Sequence, residues 1–256
     1  MAICTLPDQL QIHYEVLDGR AERPWLVFLH EGLGSVAQWH DFPERLCQRT
    51  NCPGLVYDRQ GYGGSSPLNG LRTVDYLHKY ALIELPQLLA SVLPGKPYVL
   101  IGHSDGGSIS LIYGAEKPVG LKGIITEAAH VFVEPETLAG IEKAVTAHQQ
   151  GHLRGLARYH GEKAEAVFSA WADTWLSPPF AAWNIEDLLP AIEVPLLVLQ
   201  GMGDQYGTQA QVDSIVNRSS GQATPLMLED CGHTPHKDMP ALVLDLMSCF
   251  VNRVGR

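Results

Sequence analysis

The stretch from Val99 to Ser110, "VLIGHSDGGSIS", changes character at its midpoint. Val99 to Ile101 is apolar, and from Gly102 onward the residues are mostly small or polar. Ser104 stands at the junction, with Gly102 two residues before it and Gly106 two after. On composition alone a chain of this size yields about 0.1 G-x-S-x-G matches by chance, so the weight lies in the context. An apolar run that yields to glycine and then to helix-forming residues reads as strand, tight turn and helix. In that setting the motif holds the serine in a strained backbone conformation with its Oγ exposed beyond the sheet edge. A Cβ at Gly102 or Gly106 would collide with the neighbouring helix or strand. The helix that opens at the serine also aims free N–H groups and a partial positive charge at whatever reacts there.

Working outward, the same rhythm recurs. Trp25–His30 "WLVFLH", Gly54–Asp58 "GLVYD", Tyr98–His103 "YVLIGH", Leu121–Ala129 "LKGIITEAA", Val194–Gly201 "VPLLVLQG" and Thr224–Gly232 "TPLMLEDCG" are short, apolar and followed by glycine or polar turns. Runs without alternation predict strands buried on both faces of a parallel sheet. Helices are expected over Ser35–Thr50, Asp75–Leu93 with a kink at Pro86, Ser104–Glu116, Thr208–Asn217 and Pro240–Val251. "LQIHYEVLDG" near the start alternates and ends in Asp-Gly, which predicts an antiparallel edge strand. Strand alternating with helix gives an α/β fold.

Residues 131–189 interrupt the alternation with no strand signal. The expectation is an α/β core of residues 1–130 and 190–256 with a helical lid, 131–189, inserted between late strands. Phe168, Trp171 and Trp175 fall at i, i+3 and i+7 on one face of a lid helix. Such a stripe packs the insertion onto the body. An insertion at the carboxyl edge of the sheet also covers the place where α/β folds bind ligands, so part of the stripe can roof a pocket.

The chain has 256 residues, 45% hydrophobic and 18% charged, with a formal net charge of −10. That balance argues against disorder, and the missing basic face argues against nucleic acid. No apolar run reaches the roughly 18 residues of a membrane span, and "MAICTLPDQLQIHYE" does not read as a signal peptide. The five scattered cysteines, with no C-x-x-C, suit reduced thiols in the cytoplasm and neither a disulfide framework nor a zinc site. His148 and His152 have i, i+4 spacing but no intervening glutamate, so they read as surface histidines and no metal or other cofactor is expected.

A nucleophilic serine needs a base, and the base needs an orienting acid. His233 in "DCGHTPH" follows the last expected strand, and Asp204 in "QGMGDQYGT" follows the one before it. His236 competes with His233, while Glu127 and Asp230 compete with Asp204. Two N–H donors are needed for an oxyanion. Asp105, next to the serine, supplies one; the other comes from "HEGLGS", at Gly32 or, as the alternative, Leu33.

Together these stretches resemble the α/β-hydrolase superfamily over essentially the whole chain. "LHEGLGS" resembles its oxyanion loop, with Glu31 where glycine is usual. "YDRQGYGGSS" resembles its D-x-R-G-x-G-x-S turn, "GHSDGG" its nucleophile elbow, "GMGDQYGT" its acid turn and "CGHTPH" its histidine loop. The order Ser104, Asp204, His233 is that of the superfamily. "GHSDGG" with "EAAHVFVEPET" is similar to the biphenyl-hydrolase-like branch, which includes amino-acid ester hydrolases. The resemblance implies a serine hydrolase acting on a small-molecule ester through an acyl-enzyme, as a monomer or small homo-oligomer. It also implies that Asp105 reads a substrate amine, although an acidic residue at a helix N-terminus is already favoured by ~0.3–1 kcal/mol. Glu31, Leu33, His130, Phe132, Trp171 and Trp175 are the candidate pocket residues. Carbon–carbon bond hydrolases, cofactor-free haloperoxidases and triad-bearing small-molecule receptors share the same outline; dehalogenases, which need an aspartate nucleophile, do not.

Overall fold

The computed structural model describes residues 2–255. Eight strands form one sheet in the order β1-β2-β4-β3-β5-β6-β7-β8. They are β1 (Ala2–Thr5), β2 (Gln11–Leu17), β3 (Trp25–Leu29), β4 (Gly54–Tyr57), β5 (Tyr98–His103), β6 (Leu121–Glu127), β7 (Leu196–Gly201) and β8 (Ala223–Leu228). From β4 to β8 across the sheet the neighbours are parallel, whereas β1 pairs with β2 and β2 with β4 antiparallel.

The unalternated runs do face apolar layers on both sides. In β3, Leu26 and Phe28 point into one core cluster and Val27 and Leu29 into the other. The same division holds for Val99 and Ile101 against Tyr98 and Leu100 in β5. One face is covered by α1 (Phe42–Thr50) and α10 (Pro240–Val254), the other chiefly by α2 (Tyr76–Lys79), α3 (Leu85–Val92), α4 (Asp105–Ala115) and α8 (Gln209–Arg218).

Three expectations are corrected. The strand over "LQIHYEVLDG" is antiparallel but not the edge, because the four residues of β1 add outside it, Ala2 opposite Tyr14. Ser35–Thr50 is not one helix. A 3₁₀ turn, Val36–Trp39, ends at His40, whose φ of 53° no helix accommodates, and α1 begins afresh with Pro43 in its first turn. Pro86 does not simply kink its helix. A π turn, Tyr80–Glu84, joins α2 to α3 immediately before it, with the Leu85 N–H donating to the Tyr80 carbonyl. Proline has no N–H and crowds the carbonyl four residues back, and widening the preceding turn accommodates both facts.

Between β6 and β7 lie α5 (Pro135–Gln149), α6 (Ala157–His160) and α7 (Ala164–Trp175), followed by 3₁₀ turns at Phe180–Ala182 and Glu186–Ala191. The sole strand-like feature there among the described residues is an isolated bridge between Phe132 and Asn184. Phe168, Trp171, Trp175, Phe180 and Trp183 are buried and belong to the same core cluster as β5 and α4. Two further helices precede α10 near the end of the chain: α8, already placed, and the short α9 (Pro235–Asp238).

Candidate active site

β5 ends at His103 and α4 begins at Asp105, leaving Ser104 alone at the turn with φ 52° and ψ −116°. A non-glycine residue so placed costs ~1–3 kcal/mol and persists only when its surroundings over-determine it. Here the Ser104 N–H donates to the Glu127 carbonyl at 2.8 Å, and the Ser104 carbonyl accepts from Gly107 and Ser108. The glycines are sterically required: a Cβ on Gly102 would sit 2.2 Å from the Gly106 carbonyl oxygen, and one on Gly106 would sit 2.0 Å from that of Leu29.

Asp204 and His233 arrive from the loops after β7 and β8. His233 Nδ1 lies 2.9 and 2.8 Å from the two carboxylate oxygens of Asp204. Gln200 Nε2 donates to Oδ2 at 2.6 Å and the Tyr206 N–H to Oδ1 at 2.8 Å. Burial pushes the Asp204 carboxyl upward, but the bond to His233 and the Tyr206 N–H outweigh it and hold the group below its ordinary range. With Nδ1 committed to the acid, Nε2 is the free nitrogen of the ring. Ser104 and His233 line the same small chamber.

The competing residues pair with each other. Glu127 Oε2 and His236 Nδ1 are 2.7 Å apart, both buried, with the His236 ring 4.5 Å from that of Trp39. Asp230 is exposed, at φ 53°. His103 sits between the two pairs and donates from Nε2 to the His233 carbonyl at 2.7 Å. Burial first, then the nearby histidines, push His103 well below its usual value, so it is neutral and its one proton is on Nε2.

The loop after β3 is held by its carbonyls. Arg59 donates from Nη1 to the His30 oxygen at 2.6 Å and from Nη2 to the Glu31 oxygen at 2.9 Å. The Tyr62 hydroxyl donates to the Gly32 oxygen at 3.0 Å, and His160 Nε2 to the Leu33 oxygen at 2.9 Å. Asp58 anchors the same region, accepting from the Val36 and Gly64 N–H groups and from His13. Four successive carbonyls are thus turned into the body. The Leu33 N–H is taken by Glu31 Oε2 at 3.2 Å, whereas among the described residues the Gly32 and Asp105 N–H groups have no acceptor. Gly32 also admits no side chain, since a Cβ there would lie 2.6 Å from the Trp171 ring.

The chamber, of about 50 Å³, has Glu31, Leu33, Asp105, His130, Trp171 and Trp175 in its walls with Ser104 and His233. Phe132 is not among them. Val131 beside it is fully buried in the core, and Phe132, partly buried, packs against that same core cluster and not onto the chamber. Thr137, Ile141 and Tyr206 complete the lining. Tyr206 sits two residues after Asp204, so the aromatic in "GMGDQYGT" was its one sequence signal. Its ring lies edge-on to that of His233 at 4.7 Å, and its carbonyl accepts from His130 and Thr137. The Asp105 carboxylate accepts from the Tyr76 hydroxyl at 2.9 Å, which in turn accepts from Trp175 Nε1 at 2.8 Å. Arg59 Nη2 lies 3.8 Å from the same oxygen, and Asp105 Oδ1 is buried without a donor.

The alpha/beta hydrolase family matches residues 26–246 of this chain. Similar curated proteins include the 2-succinyl-6-hydroxy-2,4-cyclohexadiene-1-carboxylate synthase of Enterobacter sp. (strain 638), 31% identical over 167 residues, 64% of this chain and 57% of that one. The protein of the same name from Salmonella arizonae is 25% identical over 93% of this chain and 98% of its own. Among solved structures, that of VinJ superposes with a TM-score of 0.75 at 25% identity, covering 99% of both chains. With the strand–elbow–helix at Ser104 and the sheet order in place, this chain belongs to the alpha/beta hydrolase family.

Proposed function

We propose that the protein is a serine hydrolase that cleaves a small carboxylic ester, or a related acyl bond, through an acyl-enzyme. The observation that carries this reading is the Asp204–His233 pair opening into the chamber that Ser104 lines. His233 Nε2 takes the Ser104 proton as Oγ adds to the acyl carbon, and the Asp204 carboxylate stabilises the imidazolium. The Gly32 and Asp105 N–H groups receive the oxyanion. Collapse expels the alcohol, which leaves with the proton from His233. Water, activated by the same imidazole, then adds to the acyl-enzyme and releases the acid.

The walls bear on the substrate. Two carboxylates, Glu31 and Asp105, line the chamber and no lysine or arginine does among the described residues. Such walls suit a neutral or amine-bearing acyl group, for which Asp105 Oδ1 is an open acceptor, and disfavour an anionic one. The curated relatives are named for making a carboxylate, and a carbon–carbon bond reaction on the same triad is the second reading. The decisive experiment is a panel of p-nitrophenyl esters with neutral, amine-bearing and carboxylate-bearing acyl groups. Ser104→Ala is expected to lower turnover by several orders of magnitude with the fold intact, and to abolish labelling by a fluorophosphonate probe. Stoichiometric labelling of the Ala variant would overturn the nucleophile. A burst followed by negligible steady-state turnover would indicate a receptor.

A further inference from the structure

A second, larger cavity of about 680 Å³ lies on the other side of α7. It shares no lining residue with the chamber. Trp171 and Trp175 face the chamber, whereas Ala166 and Ala170 face the larger cavity, with Leu68 and Val74 opposite them. Two cations, Arg72 and Lys163, stand in its wall against one acid, the exposed Asp173.

Arg72 is the unusual group. Its guanidinium is stacked on two rings, 4.5 Å from the centre of Tyr76 and 5.5 Å from that of Tyr62. It makes one hydrogen bond, from Nη2 to the Tyr62 hydroxyl at 2.7 Å. Nε and Nη1 are buried and have no acceptor, and no carboxylate among the described residues pairs with the side chain. Lys163 differs: its Nζ donates to the carbonyls of Tyr62 and Ser65. Arg72 Nε and Nη1 are closed to the cavity, but the half-buried side chain lines it as a cation with no carboxylate partner, and a carboxylate is the group that answers a guanidinium with charge-assisted N–H···O bonds. The rest of the cavity wall is mostly aliphatic.

We propose that this cavity is a second, non-catalytic binding site, which takes a small monocarboxylate with an apolar tail. The carboxylate pairs with Arg72 and the tail lies along α7. The site has a path to the chemistry. The Tyr62 hydroxyl that accepts from Arg72 donates to the Gly32 carbonyl, so a ligand on Arg72 bears on the loop whose N–H faces the oxyanion.

Calorimetric titration of the full chain with sodium hexanoate tests this. Wild type is expected to bind hexanoate, and Ser104→Ala to bind it equally. Arg72→Gln should bind at least tenfold more weakly. So should Ala170→Leu, which fills the cavity from α7 without touching the guanidinium, and whose result stands if the Arg72 variant does not fold. Hexanol and hexylammonium should bind at least tenfold more weakly than hexanoate. A soaked crystal should show the carboxylate against Arg72. No binding by wild type, unchanged binding by folded Arg72→Gln or by Ala170→Leu, equal binding of hexanol, or hexanoate in the chamber instead, each overturns the proposal. None of these outcomes depends on whether Ser104 proves to be the nucleophile.

Discussion

At Asp204 one carboxylate serves three donors: the imidazole of His233, the side chain of Gln200 and the N–H of Tyr206. Asp204→Asn keeps its size but loses its charge and favours the wrong tautomer of His233. It is expected to depress kcat on the order of 10³–10⁴, by analogy with other triads. Glu127→Gln, by contrast, disturbs the buried pair with His236, so it should lower thermal stability and leave most of kcat. Both variants are to be checked by circular dichroism; a silent Asp204 change beside a crippling Glu127 change would move the acid to β6. A different carboxyl makes its own contribution to stability against pH. Glu84 is buried, accepts one N–H from Gln60, and is pushed up to about 7 by that burial. Its folded pKa lies above its unfolded one, so the protonated form favours the folded state, and stability is lost as pH rises from about 4.5 to about 7. At 1.36 kcal/mol per pH unit the loss is at most ~3 kcal/mol. Glu84→Gln should therefore gain in melting temperature over wild type as pH climbs through that window, and little below it. A constant difference from pH 4 to pH 8 would contradict the assignment. Residues with strong local signals, Ser104 among its glycines and Asp204 and His233 at strand ends, were legible in the sequence. Arg59, Gln200 and Tyr206 were not, because their roles depend on which loops meet in space.

At the level of elements, the parallel strands declared themselves because both faces are buried, which erases alternation. β1 did not, since four residues alternating between half-buried and exposed carry too little hydrophobic signal. Phe132 was misplaced for a related reason: it lies outside any strand or helix, so no periodicity told whether its side chain meets the chamber or, as found, the core cluster. The elbow itself tolerates no added carbon. Gly106→Ala would force a Cβ onto the Leu29 carbonyl, and the expected outcome is a fall in melting temperature together with loss of ester turnover. Unchanged melting and kinetics in that variant would contradict the close approach. On α7, Trp171→Ala removes chamber wall while sparing Ser104, Asp204 and His233. It should shift the ratio of kcat/KM values toward longer acyl chains in a C2–C8 ester series, at a stability cost of about 3–5 kcal/mol. An unchanged profile in a folded variant would show that the indole does not limit the acyl group.

Over the whole molecule, the sheet, its crossovers and the strand-free segment before β7 follow from patterns that a single chain displays. The meeting of Trp175, Tyr76 and Asp105 does not, because it joins residues from three separated stretches through one hydroxyl. The same separation has a consequence in time. The twisted backbone at Ser104 is pinned by β6 through Glu127, and its glycines close against β3 and α4. Asp204 and His233 come into place only when β7 and β8 have joined. In a refolding chain the full setting of the Ser104 hydroxyl is therefore expected only once β7 and β8 have joined the sheet. Reactivity toward an acylating probe should appear with the slowest refolding phase, after the far-ultraviolet signal has recovered, which makes the serine a clock for completion of the sheet.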